Sequence, residues 1–352
     1  MDSVLRQTVM DIREIAKRAK VSTATVSRTM NRVPTVDPQL AKRVWKVVEE
    51  LGYFPNSSAR ALVSGRSRIF GLIVSEIVNP FFPEVMQIFE ETAVRHNYEI
   101  LVTSTVHDPE RMVTAVRRML ERRVEGVAVM TFGMEESLLS DLTLRNIPLV
   151  FVDVGPSRPR VSNIKIDYLN GIRQAVQHLA ALRHRRIAFI TGPLNLKSAA
   201  MRRDAFVESM KEIGIPAPPE LIVEGSHTME GGIEAFRRLH GVVNPPTAIV
   251  CSNDMTAIGV MRSCYEAGVS IPDDLSVVGF DNIRLAEFVV PPLTTVEMSQ
   301  AELGRLAFEA LFQEVQREKA KPEGTTLSLK TDLVLRKTTA MAPRAGLTRR
   351  RS

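Results

Sequence analysis

Thr23, Ala24, Ser27 and Arg28 are spaced to share one side of a helix, and their chemistry is that of a base-edge reader. Small hydroxyl and methyl groups can come close to a base pair, and an Arg fork donates two hydrogen bonds to guanine. Val26 and Met30 repeat at i, i+4 spacing on the other side and give the same helix an apolar seat. The elements that must hold this face lie just upstream. Asp11 and Glu14 have capping-box spacing, and Ile12, Ile15, Ala16 and Ala19 form the apolar face of a first helix. Lys20 and Val21 make the turn, and Ser22 caps the second helix. Two short helices on a tight turn suit a DNA major groove. A plain helical hairpin on a protein surface is the alternative at this point.

The next residues add a third helix. Asp37-Pro38 is a cap followed by proline at the first helical position. Leu40, Val44, Val47, Val48 and Leu51 form its inner face, with Trp45 near that face and Gly52 as the C-cap. Downstream, Asn56 can cap a very short helix carrying Arg60 and Leu62, which is too short to be stable alone in water. Residues 1–68 hold 13 Lys/Arg against 6 Asp/Glu, although the whole chain of 352 residues carries only +6. Basic charge is thus concentrated where phosphate contact requires it.

From residue 69 short apolar runs alternate with helical stretches. Runs at 69–75, 99–104, 125–130 and 148–153 form one βα series, and runs at 162–166, 186–191, 221–224, 247–251 and 275–280 a second. Two doubly wound subdomains with parallel sheets follow. Pro291-Pro292 and 293–296 look like a crossover, followed by a helix near 299–317 and a last strand pair at 325–337. Ligands of such sheets bind at the strand ends, in the crevice between halves. Asp153 and Asp281 each end a buried strand, where a carboxylate needs a partner or a ligand. Asn253-Asp254 follows another strand, and there a ligand contact and a helix cap are equally open. Phe81 and Phe82 lie at the mouth of the first strand and stack on a ligand ring or pack the core.

Both cysteines, Cys251 and Cys264, sit in apolar or helical settings and read as buried free thiols. No apolar run is long enough for a membrane span and no signal-peptide pattern opens the chain, so a cytoplasmic place is expected. HExxH, P-loop, GxGxxG and GxSxG patterns are missing from suitable places, so no catalytic residue, metal or cofactor is expected.

The chain resembles the lactose-repressor (LacI/GalR) family of bacterial transcription regulators over about residues 10–340. The matching motifs are Val21-Ser-Thr-Ala-Thr-Val-Ser-Arg28, Glu49-Glu-Leu-Gly-Tyr53, Pro55-Asn56 with Ala59-Arg60-Ala-Leu62, Gly71-Leu-Ile-Val74 and Asn79-Pro-Phe-Phe82. Lys20 departs from the Gly or Asn usual at this turn, at a cost of about 1 kcal/mol if its φ is positive. The resemblance implies an α/β chain with an N-terminal three-helix helix-turn-helix head and a hinge helix, then a two-subdomain periplasmic-binding-protein-like core. The expected divisions are 1–54 for the head, 55–68 for the hinge and linker, 69–340 for the core and 341–352 for a basic disordered tail. Within the core, 69–161 with 292–322 and 162–291 with 323–340 are the expected subdomains.

The resemblance also implies roles. Thr23, Ala24 and Arg28 contact bases; Ser22, Thr25, Ser27 and Asn31 position the DNA backbone, and Asn56, Arg60 and Leu62 belong to the hinge, with Leu62 as a minor-groove wedge. Arg202 reaches a small-molecule effector, for which its fork suits carboxylate, phosphate or vicinal hydroxyls. His227 falls where the family often has an aromatic. With Phe81, Phe82, Asp153, Asn253 and Asp281 these form the expected effector set. The expected function is a ligand-responsive repressor, a homodimer on a palindromic operator, switched by a sugar or sugar derivative. The resemblance also makes the expected cytoplasmic place bacterial and, through DNA binding, on the nucleoid. A solute-binding protein with the same core and no DNA role is the alternative.

Overall fold

The computed structural model describes residues 12–30, 33–53, 65–131, 134–153, 155–317 and 324–343. Asp11, Asn31, Asn56, Arg60, Leu62 and the tail beyond 343 lie outside these residues, so the expectations placed on them do too. The chain divides into two units, residues 1–67 and 68–352.

In the first unit, α1 (Ile12–Ala19), α2 (Thr23–Met30) and α3 (Pro38–Leu51) enclose a small core. Ile15, Val26 and Val44 are fully buried in it, beside Ala16, Ala19, Met30, Val47 and Val48. The caps read at Ser22, Asp37 and Gly52 are formed. Ser22 Oγ accepts the Thr25 N–H at 3.1 Å, Asp37 accepts from Gln39 and Leu40, and Gly52 closes α3 at φ 56°. Trp45 is exposed, so it is not part of the inner face; it falls one residue past Val44, where the helix has turned to water. Lys20 has φ 55°. Lys20→Gly is therefore expected to stabilise this unit by roughly 0.5–1 kcal/mol, measured as slower hydrogen exchange of the α1 and α2 amides.

The second unit holds two six-stranded sheets. The first has order β11-β5-β4-β3-β1-β2 and is parallel throughout, formed by β1 (Ile69–Val74), β2 (Glu99–Ser104), β3 (Gly126–Met130), β4 (Leu149–Val152), β5 (Val161–Asp167) and β11 (Thr326–Lys330). The second has order β12-β10-β9-β8-β6-β7, formed by β6 (Ile187–Thr191), β7 (Ile222–Glu224), β8 (Ala248–Cys251), β9 (Ser276–Asp281), β10 (Thr294–Glu297) and β12 (Asp332–Val334). Only the β10–β12 pair is antiparallel.

The strand assignments differ from the sequence reading at three places. Residues 162–166 add to the first sheet, against β4 and β11, and do not open the second. The strand at 294–297 belongs to the second sheet, and the chain returns to the first only at Met298–Ser299. The expected pair at 325–337 is split, β11 joining one sheet and β12 the other. The reason is physical: a buried parallel strand has the same apolar run in either sheet, so periodicity cannot name its neighbour. The chain therefore crosses between sheets three times, after Asp167, near Met298 and at Thr331. Thr331 is fully buried; its hydroxyl donates to the Asp167 carbonyl at 2.6 Å and accepts the Gly171 N–H at 3.0 Å. The start of the expected tail is also anchored, since the Ala342 N–H donates to the Leu182 carbonyl.

Helices cover the sheets. Those that matter for the site are α4 (Phe81–Arg95), α7 (Tyr168–Ala181), α8 (Lys197–Glu212), α10 (Asp254–Glu266) and α12 (Gln300–Gln316); between them in sequence lie α5 (Pro109–Glu121), α6 (Glu136–Thr143), α9 (Met229–His240) and α11 (Leu285–Phe288). The helix α12 lies on the first sheet and against α4, where Gly304 lets the backbones approach: a Cβ there would press on the Val85 carbonyl.

Candidate functional site

The first candidate site is the outer side of α2. Ser22, Thr23, Ala24 and Arg28 are exposed, and Thr25 and Ser27 are half-buried. Val26, Thr29 and Met30 turn inward. The Ser22 and Thr25 hydroxyls share a hydrogen bond at 2.9 Å, and the Thr29 hydroxyl donates to the Thr25 carbonyl. Both bonds stiffen the start of the helix. Thr23, Ala24 and Arg28 are left as the free-standing surface.

The second candidate site is a cavity of about 80 Å³ in the second unit, at the carboxyl ends of the strands. Phe81 and Phe82 from α4 form one wall, their rings edge to face at 5.4 Å. Asp153 ends β4, Tyr168 begins α7, and Ser198 and Arg202 reach in from α8. Met298 and Leu303 close it beside the second crossover.

Arg202 is buried and sits between the two sheets. Its Nη1 donates to the Ser252 carbonyl at 2.5 Å, and its Nη2 lies 3.6 Å from Asp281 Oδ1. The guanidinium stacks over the rings of Phe280 at 4.3 Å and Tyr168 at 4.9 Å. Its Nε has no hydrogen-bond partner. Asp153 is buried at φ 72°, with one oxygen accepting the Tyr168 hydroxyl at 2.5 Å and the other, Oδ1, unpartnered. Burial pushes its carboxyl up to about 6, against the pull of the Tyr168 hydrogen bond and the Arg202 charge. Burial also pushes Asp281 up to about 7, with Arg202 opposing, and its Oδ1 makes no hydrogen bond. Three converging polar groups with unfilled hydrogen-bonding capacity, set among aromatic rings, can hold a small polar molecule.

The structure brings four of the expected effector residues to this cavity: Phe81, Phe82, Asp153 and Arg202. Asp281 touches it through Arg202. Asn253 does not fit the expectation, because both ends of its amide are spent. Its Oδ1 accepts the Thr256 N–H as the cap of α10, and its Nδ2 donates to the His227 carbonyl. His227 does not line the cavity either. Its ring is packed against Gly192, where a Cβ would collide with it, and burial lowers its pKa to about 3, with Arg202 and His107 adding to the effect. Tyr168 and Ser198 went unread in the sequence. Tyr168 stands at the end of a buried strand like Asp153 and Asp281, but that strand had been assigned to the other sheet.

Comparison with known proteins places both sites in one family. Residues 11–56 match the family model described as bacterial regulatory proteins, lacI family, and residues 176–339 match that of the periplasmic binding protein-like domain. An HTH-type transcriptional repressor, PurR of Glaesserella parasuis serovar 5, is 34% identical over 311 residues, 88% of this chain and 92% of that protein. PurR of Aliivibrio salmonicida is 32% identical over 306 residues, 87% of this chain and 92% of its own. Among solved structures, the Lac repressor dimer bound to operator and the anti-inducer ONPF superposes with a TM-score of 0.82 at 28% identity, over 94% of this chain and 99% of that one. A complex of the transcriptional regulator CelR with cellobiose gives 0.71 at 26% identity, over the same shares. The chain belongs to the LacI family of bacterial regulatory proteins, as a ligand-responsive DNA-binding repressor and not an enzyme.

Proposed function

We propose that two copies of this chain bind a palindromic DNA operator, each laying α2 in a major groove, and that a small molecule in the cleft of the core switches the affinity. The observation that carries the switch is the buried Arg202 guanidinium, 3.6 Å from the Asp281 carboxyl that ends a strand of one sheet and acting through its charge on Asp153 at the end of a strand of the other, while Asp153 Oδ1 and Arg202 Nε have no hydrogen-bond partner. Closure of the two subdomains on a ligand there is the conformational change to which DNA affinity is coupled. Coupling of this kind moves DNA affinity by about 1–3 kcal/mol. The aromatic walls and the carboxylate–guanidinium set suit a sugar or sugar derivative. Solved relatives with bound cellobiose, and with ribose in a regulator from Enterococcus faecium, support that class. The small molecule is an effector, and the scheme calls for no cofactor. On this reading the protein works in the cytoplasm, on the nucleoid.

Selection of bound sequences from a random duplex pool by the purified protein tests this reading. One palindrome is expected; if only salt-sensitive, sequence-blind binding appears, the selection is repeated with cell extract to supply a corepressor, and a second failure would support a solute-binding protein instead. With the selected duplex in hand, Arg28→Ala is expected to weaken binding by about 10- to 100-fold and to relax the choice at one base pair per half-site. Equal loss on every sequence would move Arg28 to the phosphate backbone.

A further inference from the structure

The Asp254 carboxyl is fully buried, and neither DNA reading nor the cleft gives it a task. It stands in the first turn of α10, behind the turn that follows β9. Its Oδ1 accepts the Thr295 hydroxyl of β10 at 2.5 Å, and its Oδ2 accepts the Ile283 N–H at 2.8 Å. The approach leaves no room for a side chain at Gly279, where a Cβ would strike Asp254 Oδ1. The turn held in this way carries two successive non-glycine residues at positive φ, Asp281 at 106° and Asn282 at 54°. Such backbone is strained and persists only where its surroundings fix it. Gln300 Nε2 donates to the Asp281 carbonyl at 2.8 Å and Arg336 donates to Asn282 Oδ1 at 2.8 Å, but Asp254 holds the turn from inside, its carboxyl accepting the Ile283 N–H.

We propose that Asp254 is a positioning residue: it aims the Asp281 carboxyl at Arg202, and so sets the effector response without touching the effector. This rests on the reading of Arg202 and Asp281 as part of the effector site. An apolar side chain would fill the same space without the desolvation cost of a buried carboxyl, so its hydrogen-bonding geometry is the reason for its presence. Burial and the nearby Asp281 hold Asp254 well above the usual carboxylate range, while the Thr295 and Ile283 bonds and Arg336 oppose that rise.

The test is the titration of Asp281 in the full-length protein with carboxyl-labelled aspartate, its resonance identified by loss in Asp281→Asn. Asp254→Leu removes both acceptors, Thr295→Val removes one donor, and Asp254→Asn can keep both partners. The Asp281 midpoint is expected near 7 in the parent and unchanged in Asp254→Asn. It should rise by about one unit or more in Asp254→Leu as the carboxyl swings away from the Arg202 charge, and rise part of the way in Thr295→Val. If Asp254→Leu does not fold, Thr295→Val set against Asp254→Asn decides. An Asp281 midpoint unmoved in Thr295→Val, and in Asp254→Leu where folded, overturns the positioning role. The effector reading fails separately, if Arg202→Met leaves the ligand-dependent change in affinity for the selected duplex intact.

Discussion

Arg202→Met is expected to destabilise the core by about 3–5 kcal/mol above pH 7, and by much less below pH 5. Arg202 is the buried charge that faces both Asp153 and Asp281. Both carboxyls titrate high in the folded chain, at about 6 and about 7, because burial disfavours their ionised forms. Below these values they are protonated, and losing the guanidinium strands only neutral groups. Above them it strands two buried negative charges. In linkage terms, Arg202 lowers both folded-state values, so its removal raises them further. The variant then holds more protons when folded than the parent does, and its deficit grows as pH rises through 6 to 7. Urea unfolding of parent and variant at pH 5 and pH 8 measures the difference. A deficit equal at both would mean that Arg202 acts through its ring stacking and not its charge. Adding Asp281→Asn to Arg202→Met should recover part of the loss at pH 8, since the two groups are coupled.

Phe308→Ala is expected to cost about 3–5 kcal/mol, with the first sheet suffering most. Phe308 is fully buried on α12. Its ring packs against Phe70 at 5.5 Å, Phe89 at 5.9 Å, Phe312 at 5.6 Å and His96 at 4.9 Å. These neighbours come from β1, α4 and α12 itself, so one side chain ties the helix to strands laid down more than two hundred residues earlier. The close approach at Gly304 leaves α12 little freedom to settle into the void, which puts the cost in the upper part of the range. Hydrogen exchange should rise first in α12 and β1. Uniform loosening of both sheets would instead mean that the two subdomains unfold as one cooperative body.

The helix-turn-helix head was legible residue by residue because its signals are local. Ser22, Asp37, Pro38 and Gly52 act within four residues of where they stand, and the structure places Ser22, Asp37 and Gly52 as caps and Pro38 at the first helical position. The two-sheet core was legible as a class for the same reason: buried parallel strands announce themselves as apolar runs. Which sheet a strand joins is decided by partners far along the chain, and this is why 162–166 and 294–297 were misplaced. That error hid Tyr168. The cleft was legible where a charged residue stood at a strand end, as with Asp153 and Asp281, or in a motif, as with Arg202. His227 and Asn253 were drawn to it by position alone. The local geometry spends Asn253 on capping α10, and it packs the His227 ring on Gly192 away from the cavity lining, with its Nε2 unpartnered.

The three crossovers have a consequence for the order in which the chain matures during synthesis. The first sheet begins at residue 69, yet its covering helix α12 and its edge strand β11 are not made until residues 300–330. A growing chain that has reached residue 290 has translated most of both sheets and can finish neither. Phe70 and Phe89 lie bare until α12 arrives, and β10 waits for β12 as its neighbour. An interrupted or truncated chain is thus an incomplete core with an open apolar face, fit for chaperones or proteases and not for an effector. Nothing upstream can come under ligand control until β12, which ends at Val334, has left the ribosome.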